Sequence, residues 1–253
     1  MDIIVSHLPY LGYSIINMKD LPKQYGIEIF AEYGNNYYWK YHLAELMNGR
    51  TGKLSVHGPF CQINLASKEC NWNDVLETYK LSYDICNQYN AVHCVCHPHG
   101  PMPDYEGFVL EDGQKLALER VVILNEIAKS EGVELLVENM PFPELVFQQD
   151  DFVKYFASVE DINFLIDIGH AMLHGWDISK LLSDLGTRIR AYHVHENFGD
   201  ADSHLKVGEG PLDWNQFFLD YKQNSPNARL VLEYMYGPMD SIIENIALVE
   251  SYL

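Results

Sequence analysis

Positive charge is scarce in this chain. Lys and Arg number 17 against 36 Asp and Glu, a formal charge of −19 over 253 residues. Proteins that hold nucleic acid without regard to sequence neutralise phosphates with clustered lysine and arginine, so that class is disfavoured, leaving room only for a locally basic groove. Long apolar runs are also missing. None approaches the ~18 residues that a membrane-spanning helix needs. The opening Met-Asp-Ile-Ile-Val-Ser-His has no basic stretch followed by an apolar one and does not read as a signal peptide. The cysteines (Cys61, Cys70, Cys86, Cys94 and Cys96) are few and odd in number, and they suggest no disulfide framework. The expectation is a reducing, cytoplasmic setting. Cys94-Val-Cys96 lacks a second pair that would complete a metal site, so packed thiols are the better reading. No linker or low-complexity tract interrupts the chain, and residues 1–253 read as a single domain. With 47% apolar and 13% aromatic residues and only 21% charged, a disordered chain is excluded.

What is present alternates. Eight short apolar runs (2–6, 26–31, 53–57, 91–97, 133–139, 163–167, 189–195 and 229–233) predict strands. Helical periods lie between them. Residues 113–130 are the clearest, with Leu116, Val121, Leu124 and Ile127 on one face and Gly132 as a stop. Helices are also expected over 73–89, 150–157, 177–185, 213–221 and 240–252, and Asp213 with Gln216 has capping-box spacing. Segments 8–25 and 34–52 show the weakest helical pattern, since they hold Pro9, Gly12, Pro22 and Asn35-Asn36. Eight strand–helix repeats in this length predict an α/β fold, a (β/α)8 TIM barrel. An open doubly wound sheet would carry a glycine-rich turn after its first strand, and Ser6-His7-Leu8-Pro9 is not one.

The chemistry is expected at the carboxyl ends of these strands. His57, His97, Glu138 and Asp167 end runs three to six. His193 and His195 end the seventh, and Glu233 ends the eighth. In a barrel these ends converge on one mouth. If His193 points into the barrel, strand parity sends His195 inward with it and turns Tyr192 and Val194 to the helices; if His97 points in, Cys94 and Cys96 likewise face the helices. A lone histidine at a strand end is ordinarily structural, but Leu-Val-Glu138, Leu-Ile-Asp167 and Val-Leu-Glu233 each end an apolar strand in an acid. Burying a carboxylate there is costly unless a cation or hydrogen bonds offset it. An ion-pair network would explain them too, but almost no basic residue lies near these positions. Mixed imidazole and carboxylate donors suit zinc, manganese, iron or cobalt rather than calcium. His170, three residues after Asp167, and Asp202-Ser-His204 in the loop after strand seven add further candidates. Tyr10, Tyr13, Phe30, Tyr33, Phe60 and Trp176 are candidates to line the mouth, core packing being the alternative for most of them.

Together these pieces resemble the xylose-isomerase-like (β/α)8 superfamily of sugar isomerases and epimerases, which also contains the endonuclease IV type of apurinic endonuclease. The matching segments are Val-His57-Gly-Pro-Phe, Cys-His97-Pro, Val-Glu138-Asn, Asp167-Ile-Gly-His170, His193-Val-His195-Glu196-Asn, Asp202-Ser-His204, Gly208-Glu-Gly210 with Asp213-Trp214, and Leu-Glu233. For an isomerase or epimerase the resemblance implies a divalent ion held by Glu138, Asp167, His193 and Glu233. The two glutamates would move a proton at a sugar carbon, and His170, with His57 and His97, would contact substrate. For an endonuclease it implies a three-metal cluster that adds His57, His97, His170, Asp202 and His204. The implied cofactor is one to three divalent ions (zinc, manganese, cobalt or magnesium) per chain, and the implied partner a small sugar-like molecule. His193 is preferred to His195 as the ligand because Glu196 follows it by three, as in the family pattern. No membrane partner is expected, and a homo-oligomer is compatible with the sequence.

Overall fold

The computed structural model describes residues 2–253. Eight parallel strands close into a barrel in chain order: β1 (Ile3–Ser6), β2 (Gly26–Phe30), β3 (Leu54–His57), β4 (Cys94–Cys96), β5 (Leu135–Glu138), β6 (Asn163–Asp167), β7 (Ile189–Val194) and β8 (Arg229–Leu232). Strand β8 pairs back onto β1, with Ile4 opposite Val231. Eight α-helices follow: α1 (Asn36–Leu46), α2 (Trp72–Tyr89), α3 (Leu110–Ser130), α4 (Gln149–Phe156), α5 (Ile168–Leu173), α6 (Ile178–Leu185), α7 (Trp214–Asn224) and α8 (Met239–Tyr252). The predicted TIM barrel is therefore the fold. Among the described residues no helix is long and apolar enough to cross a membrane.

Most helix ends have a local cause. Asn35 accepts from the backbone of Tyr37 and Tyr38 at the start of α1, and Asp177 accepts from Lys180 N at the start of α6. Asp213 caps α7 through Gln216 N, but Gln216 then donates to Asp220 instead of completing a capping box. Helix α3 begins at Leu110, earlier than its periodicity suggests, with Glu111 and Asp112 in the first turn where the helix dipole favours them. Between β1 and β2 the chain forms two 3-10 segments (Leu8–Tyr10 and Gly12–Asp20) and no α-helix. Pro9 and the left-handed Gly12 break the pattern there. Arg50 ties this segment down, its guanidinium donating to the carbonyls of Met18, Leu21, Pro22, Tyr25 and Leu46. Arg120 and Arg188 bind backbone carbonyls of other connections in the same way. Three of the few cations are thus committed to the scaffold.

Strand parity divides the core as expected. Val137, Ile166, Tyr192, Val194, Leu230 and Leu232 face the helices in one large apolar cluster, together with Cys94 and Cys96. All five cysteines are free. Inside the barrel the apolar filling is small: Val95, Leu136, Leu165 and Ala191 pack together from β4 to β7, and Ile4 and Val231 are buried on the β1–β8 side. On β1, β2 and β3 the buried polar positions that face inward are Ser6, Glu28, Ser55 and His57. A barrel interior is ordinarily packed with branched aliphatics. This one turns polar, and charged, towards its mouth.

Candidate active site

Glu138 and Asp167 are the last residues of β5 and β6, and Glu233 immediately follows β8. His193 sits inside β7, opposite Asp167 in the ladder. The alternating geometry of the strands aims all four into the barrel, and each is almost fully buried. His193 Nδ1 is their common neighbour: it lies 2.8 Å from Glu138 Oε1, 3.5 Å from Asp167 Oδ2 and 3.5 Å from Glu233 Oε2. The two histidines of β7 diverge. His193 occupies this centre. His195, one residue beyond β7, contacts Asp167 Oδ2 through Nε2 at 2.9 Å and stacks on His204 at 4.0 Å.

The remaining candidates flank the centre in two groups. On one side His97 Nε2 lies 2.9 Å and His57 Nε2 3.5 Å from Glu138 Oε2. On the other, His170 Nε2 and His204 Nε2 converge on Asp202 Oδ2 at 3.3 and 3.1 Å. Ligand atoms of His57, His97 and Glu138 lie within 4.8 Å of one another, as do those of Glu138, Asp167 and His193, and those of His170, His195, Asp202 and His204. All nine residues implied by the resemblance therefore meet at one mouth.

Backbone carbonyls set the direction of three imidazoles. His57 Nδ1 pairs with Gly58 O, His170 Nδ1 with Asn139 O and His204 Nδ1 with Glu233 O, at 2.8 to 3.0 Å. Each ring thus keeps Nε2 for the centre, the arrangement that orients histidine ligands in metal sites. Asn139 brackets Asp167, accepting from its N–H and donating to its carbonyl, while Asp167 Oδ1 caps the short helix α5 at His170 N. Glu196 fixes the loop that carries Asp202 and His204, accepting from the backbone of Gly208 and Leu212 and from the Trp214 indole. Gly210 has to be glycine, because a Cβ there would lie 2.6 Å from Glu196 Oε2. The Gly-Glu-Gly and Asp-Trp pieces of the sequence thus serve this loop.

Acids and imidazoles shift one another. Burial would raise the Glu138 carboxyl, but the imidazoles of His193 and His97 hold it well below its usual range. Asp167 is lowered in the same way, against burial, by His170 and His195. Burial would lower His170, yet Asp167, Asp202 and Glu138 push it up to about 10. His204 likewise rises, against burial, to about 9 beside Asp202 and Glu233. Glu233 is the exception. Burial raises it, with Asp167 and Glu138 adding to the rise against His193 and His204. Its Oε1 is buried without a hydrogen-bond partner, as is Asp202 Oδ1. No lysine or arginine is among the described residues lining the mouth. In the metal-free protein imidazoles raised by the acids balance much of this charge; a divalent cation fits the donor set because it can take their place among the acids and gives the orphaned oxygens a partner.

Above the centre lies a cavity of about 300 Å³, walled by Phe30, Tyr33, Phe60, Met140, Phe142 and Met235. Of the aromatics singled out from the sequence, Phe30, Tyr33 and Phe60 line it. Tyr10 and Trp176 belong to the core, and Tyr13 is exposed. The sequence criterion also missed Glu28, which is fully buried in β2 and donated to by His193 Nε2 at 2.8 Å. It lies in mid-strand, so attention to strand ends passes over it. Its signal was an acid inside Gly-Ile-Glu-Ile-Phe.

Acids and imidazoles thus meet at the carboxyl mouth of a (β/α)8 barrel, the end at which such barrels carry their active sites. The chain belongs to the xylose isomerase-like TIM barrel family, whose model matches residues 7–252. An uncharacterized protein of Methanocaldococcus jannaschii, MJ1614, is 26% identical over 199 residues, covering 78% of this chain and 76% of that one. Among solved structures, a D-tagatose 3-epimerase-like protein superposes with a TM-score of 0.86 at 22% identity, covering 100% of this chain and 97% of that one. The IOLI protein, solved with a zinc atom, superposes with a TM-score of 0.77 at 18% identity, covering 100% and 96%.

Proposed function

We propose that this chain is a divalent-metal-dependent isomerase or epimerase of a small sugar or related polyol. One observation carries the reading. Glu138 and Glu233, from two sides of the barrel, approach the same imidazole nitrogen of His193 at the floor of the cavity, with opposite proton affinities. Two carboxyl groups pushed apart in this way are suited to proton transfer in two directions.

Glu138, Asp167, His193 and Glu233 would hold the ion. When bound, it supplies the positive charge that makes a hydrogen beside the substrate carbonyl acidic. An oxygen of Glu138, kept ionised by its imidazole neighbours, takes that hydrogen from the carbon. Glu233, across the barrel from Glu138, would deliver a proton from the other side. His170, with its Nδ1 proton committed to Asn139 O, presents Nε2 to substrate oxygens, and His57 and His97 do the same from the β3–β4 side. The wall of Phe30, Tyr33 and Phe60 covers one face of a sugar ring and keeps water from the reacting carbon. The names of the epimerase-like and zinc-bearing neighbours agree with this assignment.

The test is solvent exchange. Metal-loaded protein incubated with ketoses in deuterium oxide should place deuterium on one substrate carbon. Glu138→Gln should keep the circular dichroism spectrum and lose the exchange by at least 10³-fold, of the order expected for removing a group that transfers the proton. Exchange at the wild-type rate in that variant would refute the role of Glu138.

A second reading, phosphodiester cleavage at abasic sites, is favoured by the convergence of all nine candidate residues into adjoining groups. The absence of lysine and arginine from the described lining weighs against gripping DNA. Incision of an abasic duplex with about three metals per chain would establish it. No incision with zinc, manganese or cobalt would reject it.

A further inference from the structure

Glu28 has no place in the proton transfer above, yet it lies in mid-strand on β2 and is fully excluded from solvent. Strand parity requires this. Ile27 and Ile29 face the outer apolar core, so Gly26, Glu28 and Phe30 face inward. A carboxylate there has no water to solvate it, and the fold keeps it only by satisfying its oxygens. Oε1 accepts from His193 Nε2 at 2.8 Å, and Oε2 accepts from Ser55 Oγ at 2.8 Å. His93 Nε2 lies 3.4 Å from Oε2 on the same side.

The other nitrogen of the same ring is the one that meets Glu138, Asp167 and Glu233. This ring is therefore oriented differently from its neighbours. His57, His170 and His204 turn Nε2 to the centre because backbone carbonyls hold Nδ1. His193 turns Nδ1 to the centre because an ionisable side chain from another strand holds Nε2. Both ring nitrogens meet a carboxylate at 2.8 Å, Nε2 that of Glu28 and Nδ1 that of Glu138; with a cation among the acids of the Nδ1 side, the contact with Glu28 would keep the one ring proton on Nε2 and leave the Nδ1 lone pair for the metal.

We propose that Glu28, seated by Ser55, is a positioning residue: it fixes the tautomer and ring plane of His193 so that Nδ1 is its metal-binding atom. This inference rests on the reading that His193 is a ligand, and the two can fail separately.

The experiment measures cobalt and zinc affinity by chelator competition for wild type, Glu28→Gln, Glu28→Asp and Ser55→Ala, with circular dichroism of each. Glu28→Gln should weaken the metal by 10- to 100-fold, the range seen when an outer carboxylate is removed from a histidine ligand. It should also alter the visible spectrum of the cobalt-loaded protein while the far-ultraviolet spectrum stays unchanged. Ser55→Ala should weaken binding less, and Glu28→Asp, if it still reaches Nε2, should recover part of the loss and serves if Glu28→Gln does not fold. In a His193→Asn background, Glu28→Gln should cost nothing further. In zinc-loaded wild type, nitrogen-15 spectra of the ring should show the proton on Nε2. Unchanged affinity and cobalt spectrum in Glu28→Gln, or a His193 proton on Nδ1, would overturn this proposal and leave the proposed function standing. Wild type that binds neither cobalt nor zinc would overturn both.

Discussion

Replacing Glu233 with glutamine should change stability in opposite directions with and without metal. Without a cation, Glu233 Oε1 has no partner, and Oε2 stands 3.5 and 3.6 Å from His193 and His204, too far for good hydrogen bonds. The net effect of its surroundings is a raised pKa, so folding favours its protonated form and an ionised Glu233 costs stability at neutral pH. Glutamine copies the shape of the uncharged acid and removes the buried charge, and its amide N–H groups can donate where the carboxylate could only accept. An unsatisfied buried acceptor costs roughly 1–3 kcal/mol. At roughly 2–4 °C per kcal/mol for a chain of this size, Glu233→Gln should raise the melting temperature in chelator by about 2–12 °C. With manganese or zinc in excess the same change removes a ligand. Each tenfold loss of affinity is about 1.4 kcal/mol, so the loaded variant should melt below loaded wild type. Differential scanning calorimetry with and without chelator reads both signs. Equal destabilisation in both conditions would show that the protein itself satisfies Glu233, and would refute the argument that a cation is missing from this cluster.

Other consequences follow from single contacts. In the metal-free protein His170 and His204, raised to about 10 and about 9 from an ordinary 6.5, add stability that is full below pH 6.5 and lost as pH rises through those values. The melting temperature in chelator should therefore fall between pH 7 and pH 10, and metal uptake at pH 7 should release protons, detectable as a buffer-dependent heat. Gly169→Ala places a Cβ 2.0 Å from His195 Cε1, so the ring must leave Asp167; a loss of about 1–3 kcal/mol in denaturant unfolding is expected. Trp214→Phe deprives the buried Glu196 of its indole donor and should destabilise by about 1–3 kcal/mol, with faster hydrogen exchange in the loop that carries Asp202 and His204.

The barrel was legible because its two periods are written in different residues. Apolar runs that end in acids mark β5, β6 and β8, and Leu116 to Ile127 mark α3. The parity argument separated His193 from Tyr192 and set Cys94 and Cys96 against the helices, as the structure has them. Two kinds of feature were hidden. The 3-10 path from Leu8 to Asp20 depends on Arg50, which reaches its carbonyls from 29 to 32 residues away at Leu21 and Met18 and leaves no periodic trace. Glu28 was hidden because its partners, Ser55 and His193, come from other strands, and only closure of the barrel reveals that a mid-strand acid is satisfied. The apolar wall was half seen: Phe30, Tyr33 and Phe60 stand out as aromatics, whereas Met140 and Met235, two residues after Glu138 and Glu233, are ordinary apolar residues until their strands converge.

The central claim is that one cation is held among Glu138, Asp167, His193 and Glu233. Anomalous difference maps from crystals soaked in manganese or zinc address it most directly. A peak bonded to His193 Nδ1 and to oxygens of the three acids is the predicted result. Maps with no peak among those four side chains, at metal concentrations that saturate other sites in the same crystal, would contradict it.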